Sequence, residues 1–185
     1  MRHHQYTITP KDVQLHAANL CQQHLKLRDH GPKCRAGVLM TLLFYAAARI
    51  TSIAAACSAL RDAPSDQAVR DALAATLPDI NELQRRINRA LAGDLPKALR
   101  RRRQPLAIDF VLIPYHGEPL ETEDEIYRGQ PKSGTSHFHA YATIYVVRKG
   151  QRFTLALTYV RKGEKLEDVL KRLLQRAAQT GVKPR

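Results

Sequence analysis

Hydrophobic and polar positions follow two different periods along the chain, and the change falls near Gln104. Upstream, apolar residues recur at helical spacing. Pro10-Lys11-Asp12 makes a helix start, because Pro suits the first turn and Asp favours the positive end of the helix dipole. Val13, Ala17, Leu20, Cys21 and Leu25 then share a face, and Gly31-Pro32 breaks the element. Arg35 to Arg49 reads as a nearly all-apolar second helix, the buried centre of a helical bundle. Thr51 to Leu60 is a third helix and Arg61-Asp62-Ala63-Pro64 a turn, and Ser65 caps a fourth helix through Ala75. Pro78-Asp79 opens a fifth, with Ile80, Leu83, Ile87 and Leu91 on one stripe and Gly93 as its stop. From Pro105 the period shortens. Leu106 to Ile113 is an apolar run interrupted only by Asp109 and reads as a buried strand. Pro114 to Thr135 is a long polar connection. Phe138 to Val147 and Arg152 to Val160 are strands joined at Lys149-Gly150 as a hairpin. Glu164 to Ala178 is an amphipathic helix that Gly181 ends. The fold class is therefore α+β: an all-α region over residues 1–104, then a β-β-β-α region over residues 105–185.

Composition narrows the partners. The chain has 185 residues, 30 Lys+Arg against 17 Asp+Glu, and a net charge of +13, which favours a polyanion such as nucleic acid. Split at Gln104, the excess sits mainly upstream, with 17 of the 30 basic residues and 8 of the 17 acidic ones. No apolar stretch reaches the roughly 20 residues that cross a bilayer. The start Met1-Arg2-His3-His4-Gln5-Tyr6 carries no signal-like apolar run, so a cytoplasmic protein is expected. Cys21, Cys34 and Cys57 form no CxxC pair and read as reduced thiols.

Asp109 is the most informative residue. A carboxylate inside an apolar run is costly to bury, and a cation or a metal would compensate it. Three further features carry candidate chemistry. The segments Thr51–Leu60 and Ser65–Ala75 have the spacing of a helix-turn-helix, which would aim Ser65, Gln67 and Arg70 at DNA. Lys97 and Arg100-Arg101-Arg102-Arg103 form a cationic joint suited to phosphates. Tyr127, Arg128 and Lys132 lie in a turn-rich loop that suits phosphate contacts or base stacking. His116, His137 and His139 are weaker metal-ligand candidates, because no fourth ligand accompanies them.

The segments Ala107-Ile108-Asp109-Phe110, Tyr127-Arg128-Gly129, Thr135 to Thr143 and Arg152 to Leu157, in this order, resemble the first part of a DDE transposase from a prokaryotic insertion sequence. The resemblance covers Pro105 to Arg185 and extends more weakly over the helical half. It implies a helical DNA-binding region followed by the opening of an RNase H-like domain. It implies Asp109 as the first of three carboxylates that hold two Mg²⁺ (or Mn²⁺) ions, and double-stranded DNA at transposon ends as the partner. The second and third carboxylates of that family have no counterpart up to Lys183-Pro184-Arg185. The expectation is thus a transposase fragment, not competent for catalysis alone, with an exposed sheet edge that invites self-association as a homodimer. Glu121, Glu123, Asp124 and Glu125 in the loop, and Glu164, Glu167 and Asp168 at the last helix, are weaker substitutes for the missing acids. The alternative is a non-catalytic DNA-binding or regulatory protein in which Asp109 is structural.

Overall fold

The computed structural model describes residues 7–117 and 125–185. The chain forms two compact units that divide between Ile87 and Asn88. The change in sequence texture falls later, at Gln104.

Unit 1 is helical. α1 (Pro10–Leu25), α2 (Ala36–Arg49), α3 (Ile53–Ala59) and α4 (Asp66–Thr76) lie wholly within it, and α5 (Ile80–Gly93) begins in it. Its core gathers Leu39, Met40 and Leu42 of α2, Ala56 of α3, and Val69, Ala72 and Leu73 of α4. The expected central role of the second helix is thus observed. α1 starts with a reciprocal cap: the Thr9 backbone N–H donates to the Asp12 carboxylate at 2.9 Å, and the Asp12 N–H donates to Thr9 Oγ1 at 3.3 Å. The Thr9 hydroxyl, which donates to the Asp12 carboxylate at 2.6 Å, and the Thr9 N–H together hold that carboxyl below its ordinary pKa. No residue of α1 is fully buried. Its apolar stripe is only partly used, and Val13 is left exposed.

Unit 2 is a four-stranded antiparallel sheet with one covering helix. β1 (Leu106–Pro114) pairs with one side of β3 (Thr135–Arg148). On the other side, β2 (Tyr127–Lys132) pairs with the start of β3 and β4 (Gln151–Val160) with the rest. α6 (Leu166–Gln179) lies on one face and places Val169, Leu173 and Ala177 against Ala140, Ala142, Ile144 and Val146. A short 3₁₀ turn, Lys97–Arg100, adds the buried Leu99 to this core. The Lys149-Gly150 turn closes the β3–β4 hairpin as expected, with Gly150 in the left-handed region.

Two expectations need correction. The connection from Pro114 to Thr135 is not a loop throughout, because Tyr127 to Lys132 form β2. That strand turns into β3 through Ser133 and Gly134, both at positive φ, a pairing of residues that suits a tight hairpin. The run Leu106–Ile113 is not a buried strand. β1 bonds to β3 alone and forms a sheet edge, so Ile108, Phe110, Val111 and Ile113 stay between 37% and 48% exposed.

Candidate nucleic-acid interface and the Asp109 face

Alternation along β3 sorts the sheet into two faces. Phe138, Ala140, Ala142, Ile144 and Val146 point to the core and are fully buried. His137, His139, Tyr141, Thr143 and Tyr145 point the other way and are only half-buried. Asp109 pairs with Thr143 in the register, so it belongs to this second, open face. Its carboxylate lies 3.7 Å from the Arg152 guanidinium, with both side chains 48% exposed. Arg152 also donates to Thr143 Oγ1 at 3.2 Å and stacks 3.6 Å above the Tyr145 ring. The expected buried carboxylate is therefore a solvated one. The physical reason is that an edge strand with an uncovered face leaves the group wet, so no metal or tight ion pair is needed to compensate it.

The donor set beside Asp109 does not fit a divalent cation. Among the described residues, no cluster of three His, Cys, Asp or Glu side chains is placed to hold a metal. The groups nearest Asp109 on its face are the Thr143 hydroxyl, the Tyr145 ring and the Arg152 guanidinium, which repels Mg²⁺. His139 lies four positions along β3, opposite Ile113. Glu164 is committed elsewhere: it pairs with Arg172, which also donates to Thr158 Oγ1 at 2.7 Å and to the Tyr159 carbonyl at 2.9 Å. Its hydrogen bond from Arg172 holds the Glu164 carboxyl below its ordinary pKa. Asp168 lies 4.0 Å from Lys171, and Glu167 is in the first turn of α6. The Glu125 carbonyl accepts from the Tyr159 hydroxyl. Burial, with Glu125 and Tyr141 nearby, pushes the Tyr159 phenol up. Glu121, Glu123 and Asp124 lie outside the described residues. His139 meets the Tyr115 ring edge-on at 5.1 Å, and Thr135 Oγ1 accepts from the His137 N–H at 3.0 Å.

The residues of the helical hairpin are turned inward on their own helix. Ser65 Oγ accepts from the Ala68 N–H, so it serves as the N-cap of α4. Gln67 donates to Asp71 at 2.8 Å and Arg70 to Asp66 at 3.2 Å. Gln67 and Arg70 therefore each face an acid one turn away. Tyr127 is half-buried against the core of unit 2, and Arg128 and Lys132 are exposed on β2.

A cationic site is nevertheless present in unit 2, organised by a residue that the sequence reading passed over. Gln104 is buried and satisfies groups in three directions. Its amide nitrogen donates to the carbonyls of Leu99 and Arg102, and its amide oxygen accepts from Arg148 at 3.2 Å. Its backbone N–H donates to the Lys183 carbonyl at 2.8 Å, and its carbonyl accepts from the Arg185 N–H at 2.9 Å. Arg101, Arg102, Arg103, Arg148, Lys183 and Arg185 are thereby collected around one end of the sheet. Arg101 to Arg103 and Lys97 are exposed. Arg100 differs: its guanidinium donates to the Thr180 carbonyl at 2.8 Å and to the Ala92 carbonyl, which makes it a structural clamp. The only sequence signal for Gln104 is an uncharged amide following four arginines.

Division at Ile87 and Asn88 also relocates the charge. Unit 1 carries 11 Lys+Arg against 7 Asp+Glu, and unit 2 carries 19 against 10. The positive excess lies mainly in the sheet unit and not, as a split at Gln104 suggests, upstream. The thiols are free, and burial pushes those of Cys21 and Cys57 up. No single helix among the described residues is long and apolar enough to cross a membrane. Comparison with protein-family models, with curated proteins and with solved structures finds no match.

Proposed function

We propose that the protein binds double-stranded DNA in the cytoplasm and is the opening part of a DDE transposase, with Asp109 the first carboxylate of a two-metal site. In this reading the remaining carboxylates, and with them the Mg²⁺ or Mn²⁺, come from polypeptide outside these 185 residues. The observation that carries it is the path of the chain after β4. α6 leads to Lys183–Arg185, which pair in parallel with Gln104 on the free side of β1. An RNase H-like sheet needs a strand parallel to its first one on that edge, reached through a helix. Asp109 in the middle of β1 fits the position of the first metal-holding carboxylate in such a sheet. Phosphate contacts fall to Lys97, Arg101, Arg102 and Arg103, together with Lys183 and Arg185.

A second reading, a non-catalytic DNA-binding or regulatory protein, is favoured by the Arg152 guanidinium beside Asp109. Both readings share the cationic end of the sheet, and DNA affinity tests that part. Fluorescence anisotropy with a labelled duplex is expected to show that R101A/R102A/R103A weakens binding by at least about 10-fold and flattens the salt slope by about 3. Gln67→Ala is expected to change affinity by less than about 2-fold, since its amide is engaged by Asp71. Unchanged affinity in the triple variant would overturn the assignment. Weak Mg²⁺ binding that Asp109→Ala abolishes supports the transposase reading. Mg²⁺-dependent strand cleavage by this chain that Asp109→Ala abolishes would overturn the placement of the other carboxylates outside it. Binding with no Asp109-dependent response to Mg²⁺ supports the second.

A further inference from the structure

Among the described residues, none pairs with the edge of β1 facing away from β3 over a defined window. In the register, Pro105 and Tyr115 lie at bonding positions: the Val147 N–H donates to the Pro105 carbonyl, and the Tyr115 N–H to the His137 carbonyl. Odd-numbered residues of β1 therefore bond to β3, and the N–H and C=O of Leu106, Ile108, Phe110 and Leu112 point outward. On one side the window is closed by Gln104, already bonded to Lys183 and Arg185. On the other it is closed by Pro114, which has no N–H to give. Among the described residues, the single charge of Asp109 is the one guard against pairing along it. There is no lysine and no internal proline, and Phe110 and Ile108 are 41% and 37% exposed.

The window from Leu106 to Pro114 is centred on Phe110, and this makes it self-complementary. We infer that β1 pairs antiparallel with β1 of a second copy, about a two-fold axis at Phe110. The inference concerns the edge as these 185 residues leave it; a parallel strand added there under the transposase reading would take the place of the second copy. On the α6 side, Ile108 then meets Leu112 of the other copy and Phe110 meets its equivalent. On the open face, Asp109 meets Val111 and Ala107 meets Ile113. The neighbouring registers are worse. Moving the axis to Asp109 sets two carboxylates directly opposite each other and drives Pro114 against the occupied Gln104. Moving it to Val111 shortens the paired window, because Leu106 then falls opposite His116, beyond the end of β1. A continuous sheet built from two four-stranded halves results, joined mainly through backbone bonds.

Light scattering after gel filtration, over about 1 to 100 µM protein, tests the pairing. The full chain is expected to become dimeric as concentration rises. Phe110→Lys, which sets two ammonium groups at the axis, is expected to raise the dimer Kd by at least about 10-fold with an unchanged circular dichroism spectrum. Phe110→Cys is expected to cross-link with itself on mild oxidation, because directly bonded antiparallel partners have Cα atoms about 5.5 Å apart. Ala107→Cys, whose opposite neighbour is Ile113, is expected to stay uncross-linked beyond the background of Cys21, Cys34 and Cys57. A chain that remains monomeric at the highest concentration overturns the inference. So does a dimer that persists in Phe110→Lys but is broken by Val13→Glu on the exposed side of α1.

Discussion

The two faces of the unit 2 sheet are made by the same strands, yet they solve opposite problems. On the α6 face, β3 presents Phe138, Ala140, Ala142, Ile144 and Val146, all without solvent contact. On the open face, the intervening residues are His137, His139, Tyr141, Thr143 and Tyr145. They keep water at one side and hold each other by ring contacts, such as Tyr141 against Tyr159 at 5.3 Å. Small alanines let the helix approach closely, whereas large amphipathic rings tolerate exposure. The two edges differ in the same way. β4 has its outer edge closed at Leu157, whose N–H donates to Asn88 and whose carbonyl accepts from Asn88 and Arg176. Among the described residues, β1 has no such guard beyond Gln104. One side of the sheet is thus finished by side chains and the other is left for a partner strand.

The contrast between the faces is open to direct attack. Ile144→Ala removes a fully buried side chain and is expected to lower the stability of unit 2 by about 3 kcal/mol in urea unfolding. A loss below about 1 kcal/mol would mean that the α6 face is not the packed one. Glu164→Gln takes the charge from the Arg172 clamp and is expected to cost roughly 1–2 kcal/mol. Acid sharpens that test. The Glu164 carboxyl is held below its ordinary value of 4.5, so its contribution is complete above that pH and is lost as pH falls through the lowered folded value. The thermal midpoint of the wild type is therefore expected to drop more steeply below about pH 4.5 than that of Glu164→Gln. Smallest of all is Asp109→Asn. A half-exposed pair at 3.7 Å predicts a change in unfolding free energy within about 0.5 kcal/mol. A larger loss would place Asp109 in the structural framework of the sheet.

Most of the element order was legible because it rests on local chemistry. Ser65 caps α4, Gly150 turns the β3–β4 hairpin, and the Val169, Leu173 and Ala177 spacing makes α6 amphipathic. β2 was not legible. Tyr127-Arg128-Gly129-Gln130-Pro131-Lys132 contains two poor strand formers, and it becomes a strand only because β3 offers it a bonding partner. The helix-turn-helix spacing of α3 and α4 was visible, but the Asp66 and Asp71 contacts that occupy Arg70 and Gln67 follow from rotamers that spacing does not specify.

Asp109 marks the division most clearly. From the chain alone, the apolar run around it determined a strand, since Ile, Phe, Val and Leu in succession favour extended backbone. Whether that strand is wet or dry was decided by tertiary structure. Burial depends on how many neighbours a strand has and which face a helix covers, and both are set by partners distant in sequence. The same holds for Gln104, whose importance comes from reaching Arg148, Lys183 and Arg185 at once. Local propensity fixes backbone shape, while the environment of a side chain is fixed by long-range contacts that no short segment encodes.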